Sequence, residues 1–391
     1  MKYPVLTLKP DADVHLRNRH HAIYRSAVDR LPQAEDGSIV EVKTLKGEFL
    51  CYAHWNAKAY ICGRVISFEQ SDPMVTLRRL IERSIAMRRT LFAGEETTAM
   101  RLLNAEGDAL PGLIVDQYAD VLVIQLTTLG MDKLRDWVID QLMDIVKPQA
   151  IFEKSTGPAR KKEGLNEVEG WARGKGPDTI EVKERGLKYL ITLEGSQKTG
   201  LFLDQREMRS LVRNCAKNRA VMDCCSYVGG FSVSALAGGA LSADAVDYDS
   251  AALTRAREHV AINNLPIDRF TSTSADVFDF LRNKSIRRSD FIILDPPAFA
   301  KRSADLEPAK KAYTDLNRQA LEILPPGGLL LTCSCSYQID AAIFQTIVFH
   351  AARQARRSVR ILSRHRQALD HPVNLYHPEG DYLKSLLLWV E

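Results

Sequence analysis

No Cys-x-x-Cys pair occurs in the 391 residues, although seven cysteines are scattered at 51, 62, 215, 224, 225, 333 and 335. That spacing excludes a zinc ribbon, and an odd number of isolated cysteines argues against a disulfide framework. No metal site is expected. Long apolar runs are missing too: nothing approaches the roughly 20 residues of a membrane span. The start, Met1-Lys-Tyr-Pro, lacks the apolar core of a signal peptide. A cytoplasmic protein without membrane attachment is expected. Net charge is only +4, too little to prove a nucleic-acid partner by itself. Neither an internal repeat nor a low-complexity tract is present.

What is there is a chain of ordinary globular composition, 45% hydrophobic and 26% charged, and long enough for two or three domains. Basic residues cluster at Arg78, Arg79, Arg83, Arg88 and Arg89, at Arg160, Lys161 and Lys162, and at Arg353, Arg356, Arg357 and Arg360. Any one cluster reads most simply as a solvated face. Three together make a polyanionic partner a reasonable expectation.

Residues 1–70 alternate short apolar runs with turn residues and predict a small β domain, with strands over 5–8, 39–44, 48–53 and 64–68 and a basic helical segment over 13–21. Residues 71–189 are mixed: a long basic helix over 73–91, a hairpin of 113–118 and 121–126, a helix over 132–146 and a second hairpin of 180–184 and 188–193. The charged, glycine-bounded loop from Gly157 to Gly164 puts Arg160, Lys161 and Lys162 forward as substrate contacts. The stretch 170–177, turn-rich and poor in apolar residues, predicts an excursion.

From about residue 190 onward strand and helix alternate, the pattern of an α/β doubly wound, Rossmann-like parallel sheet. Strands are expected at 221–224, 243–247, 269–272, 291–294 and 329–332, with closing strands at 358–362 and 382–390. The first turn, Asp223-Cys-Cys-Ser-Tyr-Val-Gly229-Gly-Phe231, opens a helix but lacks the Gly-x-Gly-x-x-Gly of a dinucleotide fold. Its acidic start suits a cationic or hydroxyl-rich ligand instead. Asp247 ends the next strand, where a carboxylate could hold a ribose diol, and Asp276 follows the third, where one could meet an adenine amine. Singly, each acid is a better helix cap than ligand. Jointly, three acids on successive strand ends describe a nucleoside pocket without a phosphate cradle, which fits S-adenosylmethionine.

The fourth strand runs into Asp295-Pro296-Pro297-Ala-Phe299, and the fifth into Cys333-Ser-Cys335-Ser336. Two prolines end the ladder and leave a carboxylate at the carboxyl edge of the sheet, where open α/β sheets bind ligands. An acid, a ring and a thiol at one rim suit chemistry on a flat heterocycle. Cys333 lies two residues before Cys335 and would share its face on an extended chain.

The ordered set Gln197-Lys198-Thr-Gly-Leu-Phe202-Leu-Asp-Gln205-Arg206, Ser226 to Phe231, Val246-Asp247, Asp276-Val-Phe278, Asp295 to Phe299 and Ser334-Cys335-Ser336 closely resembles class I RNA methyltransferases. Specifically it resembles the bacterial 23S ribosomal RNA cytosine-C5 methyltransferases that carry an N-terminal PUA domain. The likeness runs over nearly the whole chain and includes the ending His371-Pro-Val, Pro378-Glu-Gly and Tyr382-Leu-Lys384, although His20-His21-Ala22 stands where His-Pro-Trp is more usual.

This resemblance implies a PUA domain (1–70), a central α/β domain (71–189) and a methyltransferase domain (190–391). It implies that Asp223, Ser226, Tyr227, Gly229, Asp247 and Asp276 surround the methyl donor, with Lys198, Phe202, Gln205 and Arg206 on a segment lining the same pocket. Cys335 becomes the nucleophile that adds to cytosine C6. Asp295 becomes the group that bonds the ring at N3 and its amine, with a pKa raised by an apolar pocket. Phe299 would pack against a flipped base. The expected partner is protein-poor 23S RNA, with a monomer or a homodimer equally compatible. Rival readings are a guanine or adenine nitrogen methyltransferase of the same fold, which needs no thiol, and a non-catalytic RNA-binding assembly factor.

Overall fold

A computed structural model describes residues 3–194, 200–283, 289–300 and 302–391, apart from the side chain of Ser303. Two compact units emerge: Met1–Arg185 with Ile191–Leu203 and Leu369–Gly380, and Gly186–Leu190 with Asp204–Ala368 and Asp381–Glu391.

The first unit holds two larger sheets. In one, six strands run in the spatial order Ala22–Tyr24, Ile61–Ser67, Phe49–Trp55, Ile39–Lys43, Val5–Leu8 and Val28–Arg30. Alternation decides its core: Val40 and Val42 point inward between half-buried neighbours, against Leu6, Leu8, Cys51, Ala53 and Val65. Two of its strands went unforeseen because three residues are too few to show a period. The basic segment expected to be helical is so only over Val14–Arg17.

The other sheet has five strands, ordered Val168–Arg173, Ala150–Ser155, Val121–Leu126, Leu113–Tyr118 and Ala99–Asn104. The helix Pro73–Leu91 starts where expected, with Pro73 in the first turn and Asp72 accepting from the Met74 N–H. Leu77, Ile81 and Ile85 carry it onto the sheet core. The expected excursion at 170 is in part a strand, Val168–Arg173, paired antiparallel with Ala150–Ser155. It lies at a sheet edge and buries little, so it needs few apolar residues. The helix expected over 132–146 is interrupted at Leu134 and divides into Leu129–Lys133 and Arg135–Ile145.

The second unit is built on a seven-stranded sheet. Its strands in chain order are Ala220–Cys224, Ser242–Asp247, Phe270–Ser274, Phe291–Leu294, Gly328–Ser334, Val359–His365 and Lys384–Val390, and their spatial order is 3-2-1-4-5-7-6. The first five pair in parallel, and the seventh is antiparallel to both its neighbours. Ile292, Leu294 and Leu330 face Tyr313, Leu316 and Phe344 of the helices Leu306–Ile323 and Ala341–Ala355. Phe291, Ile293, Leu329 and Leu331 face Met208, Val212 and Phe231 of the helices Arg206–Cys215 and Gly230–Ala237. Helices on both faces explain why strands four and five are apolar at nearly every position. Among the described residues no helix is long and apolar enough to cross a membrane.

Candidate active site

Strand order reverses between strands one and four of the second unit, and at that point an α/β sheet leaves a crevice beyond its carboxyl ends. The turn after strand one occupies it. Cys225, Tyr227 and Gly229 have φ of 60°, 49° and 72°, an unusual concentration of left-handed backbone that needs outside support. The support comes from the next strand: the Ser226 N–H donates to the Val246 carbonyl (3.1 Å) and the Tyr227 N–H to Asp247 Oδ2 (2.8 Å). A side chain at Gly229 would bring its Cβ within 2.6 Å of the Ala256 Cβ, so only glycine fits.

Three of the expected acids can now be told apart. Asp223 is fully buried; its Oδ2 accepts from the Ser232 N–H (2.9 Å) and hydroxyl (2.7 Å), and its Oδ1 finds no donor among the described residues. Burial pushes its pKa up to about 6 against the downward pull of Ser232. Asp247 accepts from the N–H groups of Tyr227 and Asp249. Asp276 caps the helix Val277–Arg282, its Oδ1 accepting from the N–H groups of Phe278 and Asp279. Burial pushes the Cys225 thiol pKa upward, and the charges of Asp295, Asp247, Asp223 and Asp276, in that order, push it further.

Asp223 Oδ1 and the Ser226 hydroxyl are buried polar atoms without a hydrogen-bond partner among the described residues, beside a turn that excludes side chains. Unmet polar atoms around a backbone cradle fit a ligand bearing ammonium and hydroxyl groups, as S-adenosylmethionine does.

The other half of the site lies on strands four and five. Asp295 accepts from Gln205 Nε2 at 2.8 Å, and its N–H donates to the Cys224 carbonyl (3.3 Å). Cys335 stands just past strand five, half-buried, with Sγ 3.9 Å from the Pro296 carbonyl oxygen. Ser336 laces the two loops together: its hydroxyl accepts from the Ala300 N–H (3.1 Å) and pairs with the Tyr313 hydroxyl (3.0 Å). Cys333 is fully buried and its thiol pKa is raised well above the ordinary value by that burial, so it is no spare nucleophile.

Gln205, expected beside the cofactor, donates from Nε2 to Asp295. Phe299 stacks between Tyr313 (ring centroids 4.6 Å apart) and Phe278 (6.0 Å). Arg206 is completely buried. Phe202 and the segment holding Arg160, Lys161 and Lys162 belong to the first unit, and Lys198 lies outside the described residues. Arg160 is no surface contact: it is 2% exposed and bonds the Leu126 and Asn166 carbonyls and Asp132. Lys161 and Lys162 are exposed. Arg78, Arg79, Arg88, Arg357 and Arg360 from the other clusters also have internal partners.

Ser232 and Tyr313 were not singled out in the sequence, and Lys384 only as the end of the Tyr382-Leu-Lys384 match, because a buried hydroxyl or lysine has no periodicity to mark its role. His20, His377 and Glu379 of the first unit form a group with metal-ligand chemistry. Yet His20 Nδ1 accepts from the Ala22 N–H, which leaves its proton on Nε2, directed at Glu379 Oε1 (3.2 Å). A protonated ring nitrogen does not ligate, and the pair reads as a hydrogen bond.

A 3-2-1-4-5-7-6 sheet with acids at the crevice beyond its carboxyl ends defines a class I S-adenosylmethionine-dependent methyltransferase fold. Residues 161–385 match the S-adenosylmethionine-dependent methyltransferase family, and residues 6–68 match the PUA-like domain. Proteins named ribosomal RNA large subunit methyltransferase I are similar over nearly the full length. The one from Alteromonas mediterranea is 39% identical over 97% of both chains, and that from Shewanella frigidimarina 37% identical over 98% of both. This chain belongs to that family of S-adenosylmethionine-dependent methyltransferases. Among solved structures, a protein described as a methyltransferase complexed with S-adenosylhomocysteine superposes with a TM-score of 0.85 at 24% identity, over 99% of this chain and 100% of its own.

Proposed function

We propose that the protein forms 5-methylcytosine in large-subunit (23S) ribosomal RNA through a covalent adduct between Cys335 and cytosine C6. The observation that carries this reading is a half-buried thiol on a loop held against the Asp295-Pro296-Pro297 loop at the carboxyl edge of the sheet. A nitrogen methyltransferase has no use for that thiol.

Cytosine C5 is a weak nucleophile. Addition of the Cys335 thiolate to C6 moves the C5–C6 π electrons onto C5, and Asp295 in its protonated form, donating to N3 while its other oxygen accepts from the exocyclic amine, stabilises the negative charge that reaches the ring. S-adenosylmethionine, held by Asp223, Ser226, Tyr227, Gly229 and Asp247, supplies an electrophilic methyl carbon. Once C5 is methylated, its proton leaves to a base, the double bond re-forms and the thiolate departs. Phe299, braced by Tyr313, supports a base flipped out of its stack. Access for flipping favours protein-poor RNA over assembled subunits as substrate, and equal rates on both would remove that preference. A ribosomal RNA substrate places the enzyme in the cytoplasm.

The test is bisulfite mapping of 23S RNA treated with the wild-type protein or Cys335→Ala. One new modified cytosine, absent with the variant, is expected. Methylation that survives in the variant would transfer the reaction to a nitrogen.

A further inference from the structure

We infer that Lys384 is a positioning residue for Cys335: its ammonium fixes the loop that carries the sulfur and holds a positive charge behind it, so that the thiol ionises near neutral pH. This inference rests on the reading of Cys335 as nucleophile.

Lys384 opens the seventh strand and pairs directly with Ser334, the residue before Cys335. Its side chain is 6% exposed. Nζ donates to the carbonyl of Ser336, the residue after Cys335, and to the Tyr382 carbonyl, each at 2.8 Å. The lysine therefore grips the nucleophile's loop from behind. Neither partner is an anion, and among the described residues no carboxylate forms an ion pair with Lys384. Burying an ammonium without a counter-charge costs several kcal/mol. A neutral side chain would avoid that cost, so the arrangement makes physical sense where an anion forms during turnover. The thiolate of Cys335 is that anion.

Burial pulls the Lys384 pKa down to about 8, and Cys335, Asp381 and Asp340 pull it back up in that order. Charge coupling is reciprocal: whatever a thiolate adds to the lysine's affinity for its proton, the ammonium subtracts from the thiol's. The Tyr313 hydroxyl also faces the cysteine.

Alkylation of Cys335 by iodoacetamide across pH 5 to 10, quantified on its peptide by mass spectrometry, reads the thiolate fraction without RNA or donor. In the wild-type protein the midpoint should fall below the ordinary thiol value of about 8.5. Lys384→Met should raise it by about one unit, making alkylation at pH 7 roughly tenfold slower, and Lys384→Arg, which keeps the charge, should hold it low. Three results would overturn the inference: superimposable curves for wild type and Lys384→Met, an arginine variant as high as the methionine one, or a wild-type midpoint at or above 8.5. The last needs no variant to fold. Failure of the C5 reading shows up elsewhere, as methylation that persists in Cys335→Ala, and would leave the lysine–cysteine coupling intact.

Discussion

The Cys335 sulfur lies 3.9 Å from the carbonyl oxygen of Pro296, a contact between a loop on strand five and a loop on strand four. Neither loop has ladder hydrogen bonds there, so their mutual position depends on side chains. Ser336 supplies the clamp by accepting from the Ala300 N–H and pairing with Tyr313. Ser336→Ala removes both bonds at a fully buried position and should cost about 1–3 kcal/mol of stability. On the proposed reaction, a Cys335 sulfur displaced by a fraction of an ångström should lose rate more than affinity. Single-turnover methylation of the RNA at saturating donor should slow at least tenfold, with the donor dissociation constant unchanged. An unaltered rate would show that the clamp is not what sets the sulfur's position.

Asp223 makes a pH prediction with a definite sign. Its folded pKa is raised, to about 6, so its contribution to stability is fully present below the unfolded value near 4 and is lost as pH rises through 6. About two units correspond to roughly 3 kcal/mol. Asp223→Asn abolishes this dependence, so the variant should gain roughly 3 kcal/mol on the wild type between pH 4 and 7.5 in chemical denaturation. It should also bind S-adenosylhomocysteine at least tenfold more weakly at pH 7.5, because the ligand's ammonium loses its carboxylate. Wild-type affinity should rise with pH through 6, whereas the variant's stays flat in calorimetry.

Much of the second unit was legible because burial on both sheet faces writes continuous apolar strands such as Phe291–Leu294, and because prolines end a ladder where Asp295 must stand. The placement of Asp223, Asp247 and Asp276 at or just past successive strand ends was legible for a similar reason: strand ends are countable. What could not be read was which charges are internal. Arg160 sits between two lysines that are exposed, yet its planar fork satisfies two carbonyls and Asp132 inside the unit. Nothing in a basic run says which member turns inward. The edge strand Val168–Arg173 was missed for the opposite reason, since an edge needs little apolar surface and so resembles a loop.

Arg88 turns that lesson into a measurement. From an apparent RNA-facing cluster it is wholly buried, bidentate to Asp108 at 2.6 and 2.8 Å and bonded to the Asp370, Arg101 and Ser84 carbonyls. Asp108→Ala strands a guanidinium in the interior and should destabilise the first unit by about 3 kcal/mol. If the arginine is structural, RNA affinity measured well below the melting transition should be unchanged, with the same salt slope. In Arg88→Met, a salt slope smaller by about one would mean that Arg88 had been counted among the phosphate contacts after all.

Gly229 separates two reasons for a glycine that usually occur together. Its φ of 72° penalises any side chain, and its Cβ position meets the Ala256 Cβ at 2.6 Å. Gly229→Ala should therefore lose about 1–2 kcal/mol to backbone conformation, plus a steric share that a rigid helix–turn contact cannot relax. Ala256→Gly opens the space opposite but costs about 1 kcal/mol of its own inside the helix Ser250–Ile262. The two sites touch, so their effects should not add: a double-mutant cycle should show the pair about 1 kcal/mol less destabilised than the sum of the singles. Donor binding should follow the same cycle, failing in Gly229→Ala and recovering in part in the pair. Additive effects would mean that the turn relaxes freely and that glycine stands there for its dihedral alone.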